Sequence, residues 1–449
     1  MNRSRLRMSL AAALLLAVFL FSVFALSRPV AVWSADASAI IASLAAERAK
    51  KTQPIEDPAS HMAVFYQALA RTALKQPGAI TRICHFGDSL IEMELVPGPA
   101  RRLLQEKFGD SDHGFVLAKN PKPWYRPYDL EFKSAAEWIS FDMGDRNVRD
   151  RRFGLGGAVA QAYKRNAELE VGTVRSGRVG KSVSRFEFLF PIEPTGGPLD
   201  IEIDGKKVGI LNTSGNVYQE GWAEINVADG PHKLTVTARQ EKTRLHGIIL
   251  ERTVPGVVYD ALGINGSGVN TYLSVARENW INQLRHRNPS LVMIGIGTND
   301  TYFELDISVY VKDLRQLLER VREALPNSTL LLVAPLDRAM KRGSELVTHP
   351  MTPKIVAAQR QLAKDMGIAF WSAFDAMGGE GSMARWYNAS PRLGAGDFFH
   401  PTPLGGEKIG EMLYWAMMQG FARYLETRGL PTNPPPARPA DPLRKLEIR

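Results

Sequence analysis

The chain has 449 residues, 45% of them hydrophobic and 23% charged, a composition that excludes bulk disorder. At roughly 100–200 residues per domain the length allows two or three domains. A single cysteine excludes an intramolecular disulfide and any zinc site with more than one thiolate ligand. A formal charge of +9 suits a polyanionic partner, and the N-terminus argues that this partner is not nucleic acid.

Residues 1–7 carry Arg3, Arg5 and Arg7 without an acid, and 8–26 form an apolar run broken only by Ser9 and Ser22. A basic head followed by such a run predicts export. Ala35-Asp36-Ala37 offers a small-x-small cleavage site, while the run is also long enough for an inner-membrane anchor with its arginines in the cytoplasm. Either way the protein is expected in the periplasm. Residues 1–37 hold four basic side chains and one acid, so removing them leaves about +6.

Asp57-Pro58 predicts a helix to about Lys75, with Met62, Phe65, Leu69 and Ala73 as its buried stripe. A short apolar strand is expected at Ile80–Phe86 and a helix at Pro99–Phe108, closed by Gly109. Cys84 reads as a small buried hydrophobe. Strands and helices alternate again from Gly256–Leu262, a strand, and Asn270–His286, a helix. Leu291–Ile296, Thr329–Ala334 and Ile368–Trp371 follow as strands, interleaved with helices at Ile307–Leu325, Pro353–Met366 and from Thr402-Pro403 to about Leu425. This alternation predicts a parallel sheet covered on both faces, with ligands at the carboxyl ends of its strands.

Residues 110–255 interrupt the pattern. Short strands are expected at Ser184–Phe190, Leu199–Ile203, Lys207–Leu211, Ala223–Val227, Lys233–Ala238 and Ile248–Glu251, with turns at Asp204-Gly205 and Asp229-Gly230. They predict an inserted β-sandwich. Within 110–180, Trp124, Tyr125, Tyr128 and Trp138 are candidates for stacking on sugar rings, and Arg146, Arg149, Arg151 and Arg152 for contact with an anionic polymer. A Pro-rich tail occupies 430–449.

A nucleophilic serine needs a sharp turn, an imidazole base and donors for an oxyanion. Gly87-Asp88-Ser89 follows a strand, whereas Gly109-Asp110-Ser111 follows a helix, so Ser89 is favoured over Ser111. Among the eight histidines, His61 is expected in the first helix, His85 in the first strand, His232 and His246 in the insertion, and His286 on a helix surface. His113 and His349 fall in loops with no obvious partner. His400 differs, because Asp397 three residues earlier can hold its Nδ1–H and leave Nε2 free for a serine proton. Donors are available in Gly263-Ile-Asn-Gly266-Ser-Gly268 and in Gly297-Thr298-Asn299-Asp300, each just past a strand.

With these residues in this order, the chain resembles the SGNH (GDSL-type) esterase family. Gly87-Asp88-Ser89-Leu90, Gly266, Gly297-x-Asn299-Asp300 and Asp397-x-x-His400 match its blocks, over roughly 80–109 and 256–425. The resemblance implies a three-layer α/β/α fold on a flavodoxin-like parallel sheet, and ester hydrolysis with no metal or organic cofactor. It makes Ser89 the nucleophile, His400 the base and Asp397 its orienter. Ser89 N–H, Gly266 N–H and Asn299 Nδ2 become the oxyanion donors, with Gly263 and Gly268 open as alternatives to Gly266. Asp88 and Asp300 become supporting residues.

A β-rich insertion after the first block, an export signal, and the openings RICHFGDSLIE and RRLLQEKFGD are similar to bacterial peptidoglycan O-acetylesterases. The organisation expected is 1–37 as signal or anchor, 38–109 with 256–429 as the hydrolase domain, and 110–255 as an inserted carbohydrate-binding domain. The function expected is removal of O-acetyl groups from a cell-envelope polysaccharide. Its rivals are an O-acetyltransferase on the same triad and a non-catalytic envelope glycan-binding protein. Acetate release against acetyl gain on a defined glycan separates the first rival, and loss of all turnover with the fold intact separates the second.

Overall fold

A computed structural model describes residues 37–302 and 305–430. The expected export segment at 8–26 and the tail from 431 lie outside these residues. No helix among the described residues is long and apolar enough to cross a membrane.

The central sheet has five parallel strands. In spatial order they are Gly256–Gly263, Ile80–Gly87, Leu291–Gly295, Thr329–Ala334 and Ala369–Ser372. Numbered by sequence within this sheet the order is 2-1-3-4-5, the flavodoxin-like arrangement, which reverses between the first and third strands. Side chains alternate between two buried faces. Cys84, Phe86, Leu262 and Ile294 pack on one side against Trp280, Leu284, Leu317 and Ile355. Ile83, Tyr259, Met293 and Leu331 pack on the other against Phe65, Leu104, Leu413 and Phe421. Burial on both faces explains why these strands read as apolar runs rather than as alternating ones. The result is the three-layer α/β/α fold expected from the sequence.

The inserted segment forms antiparallel sheets. Phe186, Phe188 and Phe190 of Val183–Ile192 face Leu169, Ile201 and Val236 of a five-stranded sheet, giving a sandwich core. The opposite side of the same strand carries Glu187 and Leu189, and it lies on the helix Arg277–Arg287 beside the parallel sheet. The four-stranded sheet is therefore covered on both faces. Asp204 and Gly205, at φ 54° and 76°, make the expected hairpin. The turn expected at Asp229-Gly230 comes slightly later, because the strand continues as Gln219–Gly230 and the chain reverses at 231–232. The segment's two ends are pinned together. Ser111 Oγ donates to Val254 O at 2.7 Å, Arg252 Nη1 to Asp110 O at 2.9 Å, and Val257 N to Gly109 O at 2.9 Å.

Several expectations need correction. The first helix spans only Ala63–Ala73, because the Asp57 carboxylate caps the preceding turn, accepting from His61 N and Met62 N. His61 thus lies outside that helix, and its Nε2 accepts from Leu330 N at 2.9 Å. The helix expected at Asn270–His286 is two, Val269–Leu273 and Arg277–Arg287. Arg320 donates to the carbonyls of Tyr272, Leu273 and Val275, and Arg151 to that of Ser274, so distant guanidiniums satisfy the broken end. His286 is buried rather than on a surface. Its ring stacks on Trp222 at 4.0 Å and its Nε2 pairs with Glu187, because the insertion covers this helix. His113 has a partner, Glu94 Oε1 at 3.3 Å, and burial holds its pKa well below the ordinary value.

Candidate active site

Ser89 stands at the carboxyl end of the strand Ile80–Gly87, second in spatial order in the parallel sheet, as the first residue of the short helix Ser89–Glu92. Asp88 caps that helix, its Oδ1 accepting from Leu90 N at 3.1 Å. Burial raises the Asp88 carboxyl, against the hydrogen bonds from Leu90 and Thr298. Gly87 before it is gripped by the Tyr272 hydroxyl, which accepts from Gly87 N at 2.9 Å and lies 2.7 Å from Gly87 O. The serine's backbone is therefore fixed from both sides.

His400 reaches this serine from a loop before the last helix, Pro403–Arg428. Ser89 Oγ and His400 Nε2 are 2.7 Å apart, and His400 Nδ1 and Asp397 Oδ2 are 2.7 Å apart. Asp397 Oδ1 also accepts from the N–H groups of Phe399 and His400, at 3.0 Å each. Burial works to raise the Asp397 carboxyl, but His400 and these two amides outweigh it and hold it below its ordinary value. Phe398 between them adopts φ 61°, a left-handed conformation costly for a side chain with a Cβ. The loop is fixed where it closes, by Ala395 N to His400 O at 2.8 Å and Ala339 N to Phe398 O at 2.9 Å. The three residues Ser89, His400 and Asp397 thus form one hydrogen-bonded chain.

The two donor loops lie alongside. Asn299 Nδ2 donates to Ser267 O at 3.0 Å, so the amide is tied to the turn that contains Gly266. Gly266 itself sits at φ +79°. Gly268 is required by close approach, since a Cβ there would come 2.6 Å from Asp300 Oδ1. Asp300 in turn accepts from Val269 N at 3.2 Å, and burial pushes its carboxyl up to about 6. No hydrogen bond joins Ser89 to Gly266 or Asn299 among the described residues.

A cavity of about 430 Å³ opens beside His400, lined by Met93, Leu95, Trp124, Asn265 and Pro403 among others. Of the four aromatic residues singled out in 110–180, Trp124 alone lines it. Tyr125 and Trp138 are buried in the core, and Tyr128 packs under the Arg102 guanidinium at 5.1 Å. The arginine cluster is also largely structural. Arg151 donates to the carbonyls of Met143, Asp145 and Ser274, and Arg152 lies 3.6 Å over the Tyr218 ring, leaving Arg146 and Arg149 exposed.

Glu92 was not singled out by the sequence, although two acids inside the apolar stretch Leu90-Ile91-Glu92-Met93-Glu94-Leu95 are a signal, since acids are rarely buried without partners. Its side chain is 1% exposed, and its Oε2 accepts from Trp124 Nε1 at 3.2 Å and Asn265 N at 3.0 Å. Burial pushes its carboxyl up to about 7, against these two hydrogen bonds. Folding therefore favours the protonated form. The stabilisation is complete below 4.5, the unfolded value, and is lost as the pH rises through about 7. Glu92→Gln keeps an acceptor oxygen and does not titrate. Its stability relative to the parent should climb between these limits by on the order of 3 kcal/mol and then level off. Urea unfolding of both proteins at pH 4.5 and 8 checks this, and a difference independent of pH would refute it.

The model for GDSL-like lipases and acylhydrolases matches residues 235–408. That span holds Gly266, Asn299, Asp397 and His400, while Ser89 lies on the far side of the insertion. No curated protein matches the chain. Among solved structures, a peptidoglycan O-acetylesterase is 23% identical, over 80% of this chain and 97% of that one, with a TM-score of 0.68. A family two carbohydrate esterase from Clostridium thermocellum is 12% identical, over 63% and 97%, with a TM-score of 0.26. A psychrotrophic esterase from Pseudoalteromonas sp. is 18% identical, over 35% and 75%, with a TM-score of 0.27. The chain shares the fold of that peptidoglycan O-acetylesterase over most of its length, and its residues 235–408 carry the sequence pattern of GDSL-like lipases and acylhydrolases.

Proposed function

We propose that the chain is a serine esterase that removes O-acetyl groups from a cell-envelope polysaccharide, with peptidoglycan as the first substrate to test. The observation that carries this reading is the hydrogen-bonded chain Ser89–His400–Asp397 at the carboxyl edge of the sheet, next to the strand-order reversal. The partly apolar cavity beside it, with an indole in its wall, suits a sugar ester. The family-model match and the fold shared with a peptidoglycan O-acetylesterase support ester chemistry. The apolar run at 8–26 supports a periplasmic enzyme, free or tethered to the inner membrane.

In the first step Ser89 Oγ attacks the acetyl carbonyl and its proton passes to His400 Nε2. The tetrahedral oxyanion is held by Ser89 N, Gly266 N and Asn299 Nδ2. The sugar oxygen leaves with the proton from His400, and the serine keeps the acetyl group. Water then attacks this ester, gives its proton to His400, and acetate departs as Ser89 regains the proton. Asp397 holds Nδ1–H throughout, which keeps Nε2 facing Ser89.

Acetate release from O-acetylated peptidoglycan, O-acetylated xylan and 4-nitrophenyl acetate tests the reading. Release from peptidoglycan that disappears in Ser89→Ala supports nucleophile and substrate together. Release from xylan or the small ester alone keeps the chemistry and removes the wall substrate. A folded protein that hydrolyses none of the three overturns the esterase reading.

A further inference from the structure

Trp124 belongs to the inserted segment, yet its indole lines the cavity beside His400. It is 44% exposed, the one exposed tryptophan among the described residues. Met93, Leu95 and Pro403 flank it in that wall, while Asn265, Asp397 and His400 supply the polar part. An open indole face in such a setting packs against the C–H face of a sugar ring, whose hydrogens meet the negative face of the π system.

The indole is held in place. Its Nε1–H donates to Glu92 Oε2, and the same oxygen accepts from Asn265 N. Asn265 directly precedes Gly266. One buried carboxylate, three residues after Ser89, therefore joins the insertion's aromatic side chain to the turn that carries an oxyanion donor. These groups come from three parts of the chain remote in sequence.

Resting on the esterase reading above, we propose that Trp124 is the platform for the sugar ring that carries the acetyl ester, and that Glu92 is a positioning residue fixing this platform and the Asn265–Gly266 turn to each other. The insertion then contributes to substrate selection inside the catalytic cavity and not only on its own sandwich. The ligand class is a pyranose with an unhindered C–H face and an acetylated hydroxyl directed at Ser89.

The test compares the full chain with Trp124→Ala, Trp124→Phe, Glu92→Leu and Glu92→Gln, on soluble O-acetylated peptidoglycan strands and on 4-nitrophenyl acetate, with thermal melts to confirm folding. Trp124→Ala should raise KM for the glycan about 10-fold, a clearly larger factor than its effect on the small ester. Trp124→Phe keeps a ring but loses the bond to Glu92, and should fall between. Glu92→Leu should both raise glycan KM and lower kcat on the small ester by about 10-fold or more, because it releases the platform and the turn together. Glu92→Gln should restore most of both.

Equal effects of Trp124→Ala on the two substrates, or none, overturn the platform. A Glu92→Leu protein indistinguishable from the parent, or a Glu92→Gln protein as impaired as Glu92→Leu, overturns the positioning role. Binding of chitotetraose to the parent and to Trp124→Ala separates this inference from the esterase reading. If no ester is hydrolysed, binding weakened about 10-fold by the substitution still supports the platform, and unchanged binding overturns it.

Discussion

Replacing Ser89 by alanine is expected to lower kcat for acetate release by about 10⁵–10⁶-fold while leaving the protein folded. The hydroxyl is 2.7 Å from His400 Nε2, close enough for proton transfer as the oxygen attacks. In the proposed mechanism its loss removes the acetyl-enzyme and leaves His400 and the proposed oxyanion donors only direct attack by water to assist. The cost to stability should be small, because the loss removes one hydrogen bond from a side chain whose partner His400 keeps Asp397. The pair of measurements is therefore clean: a normal melt with acetate release near background. Turnover within about 100-fold of the parent would remove Ser89 from the role of nucleophile.

Asn299→Ala is expected to lower kcat by about 10²–10³-fold with little change in KM, since an oxyanion donor acts mainly on the transition state. An asparagine amide has two hydrogens, and one is bonded to Ser267 O at 3.0 Å. The other is left for substrate, while the first fixes the amide to the Gly266 turn. The effect should be nearly as large as that of Asp397→Asn. The Asp397 side chain is 51% exposed, so solvent screens its support of His400 more than it would for a buried carboxylate. Initial rates on 4-nitrophenyl acetate, where binding matters least, give the comparison. Normal turnover in Asn299→Ala would refute the donor assignment.

The placement of the candidate residues at the carboxyl ends of the strands was legible because each sits beside a local punctuation mark. Ser89 follows an apolar strand and a glycine, Asn299 follows a strand and Gly297, and Asp397 is in the same loop as His400. Local signals also gave every strand of the parallel sheet to within about two residues. What stayed hidden depends on contacts far apart in sequence. Nothing near His286 reveals that the insertion's Trp222 and Glu187 cover it. The break at 274–276 is set by Arg320 and Arg151, which neighbouring residues do not announce. Among Trp124, Tyr125 and Trp138, composition alone does not tell which ring is core and which faces the cavity. The strands Leu130–Ser134 and Trp138–Asp142 are short and only partly buried, so their pattern is weak.

The pinned ends of the insertion also bear on how the chain folds. Both neighbours of the strand Ile80–Gly87 lie downstream of the insertion, so its pairing is non-local on either side. Closing so long an excursion as free coil would be a slow, entropically opposed step. Once the sandwich has folded, the bonds among Gly109, Asp110, Ser111, Arg252, Val254 and Val257 bring the two ends side by side, and the effective loop shrinks to a short connection. The insertion then acts as a template for the catalytic sheet, and substitutions that destabilise the sandwich core at Phe186 or Phe188 should slow refolding of a site they never touch.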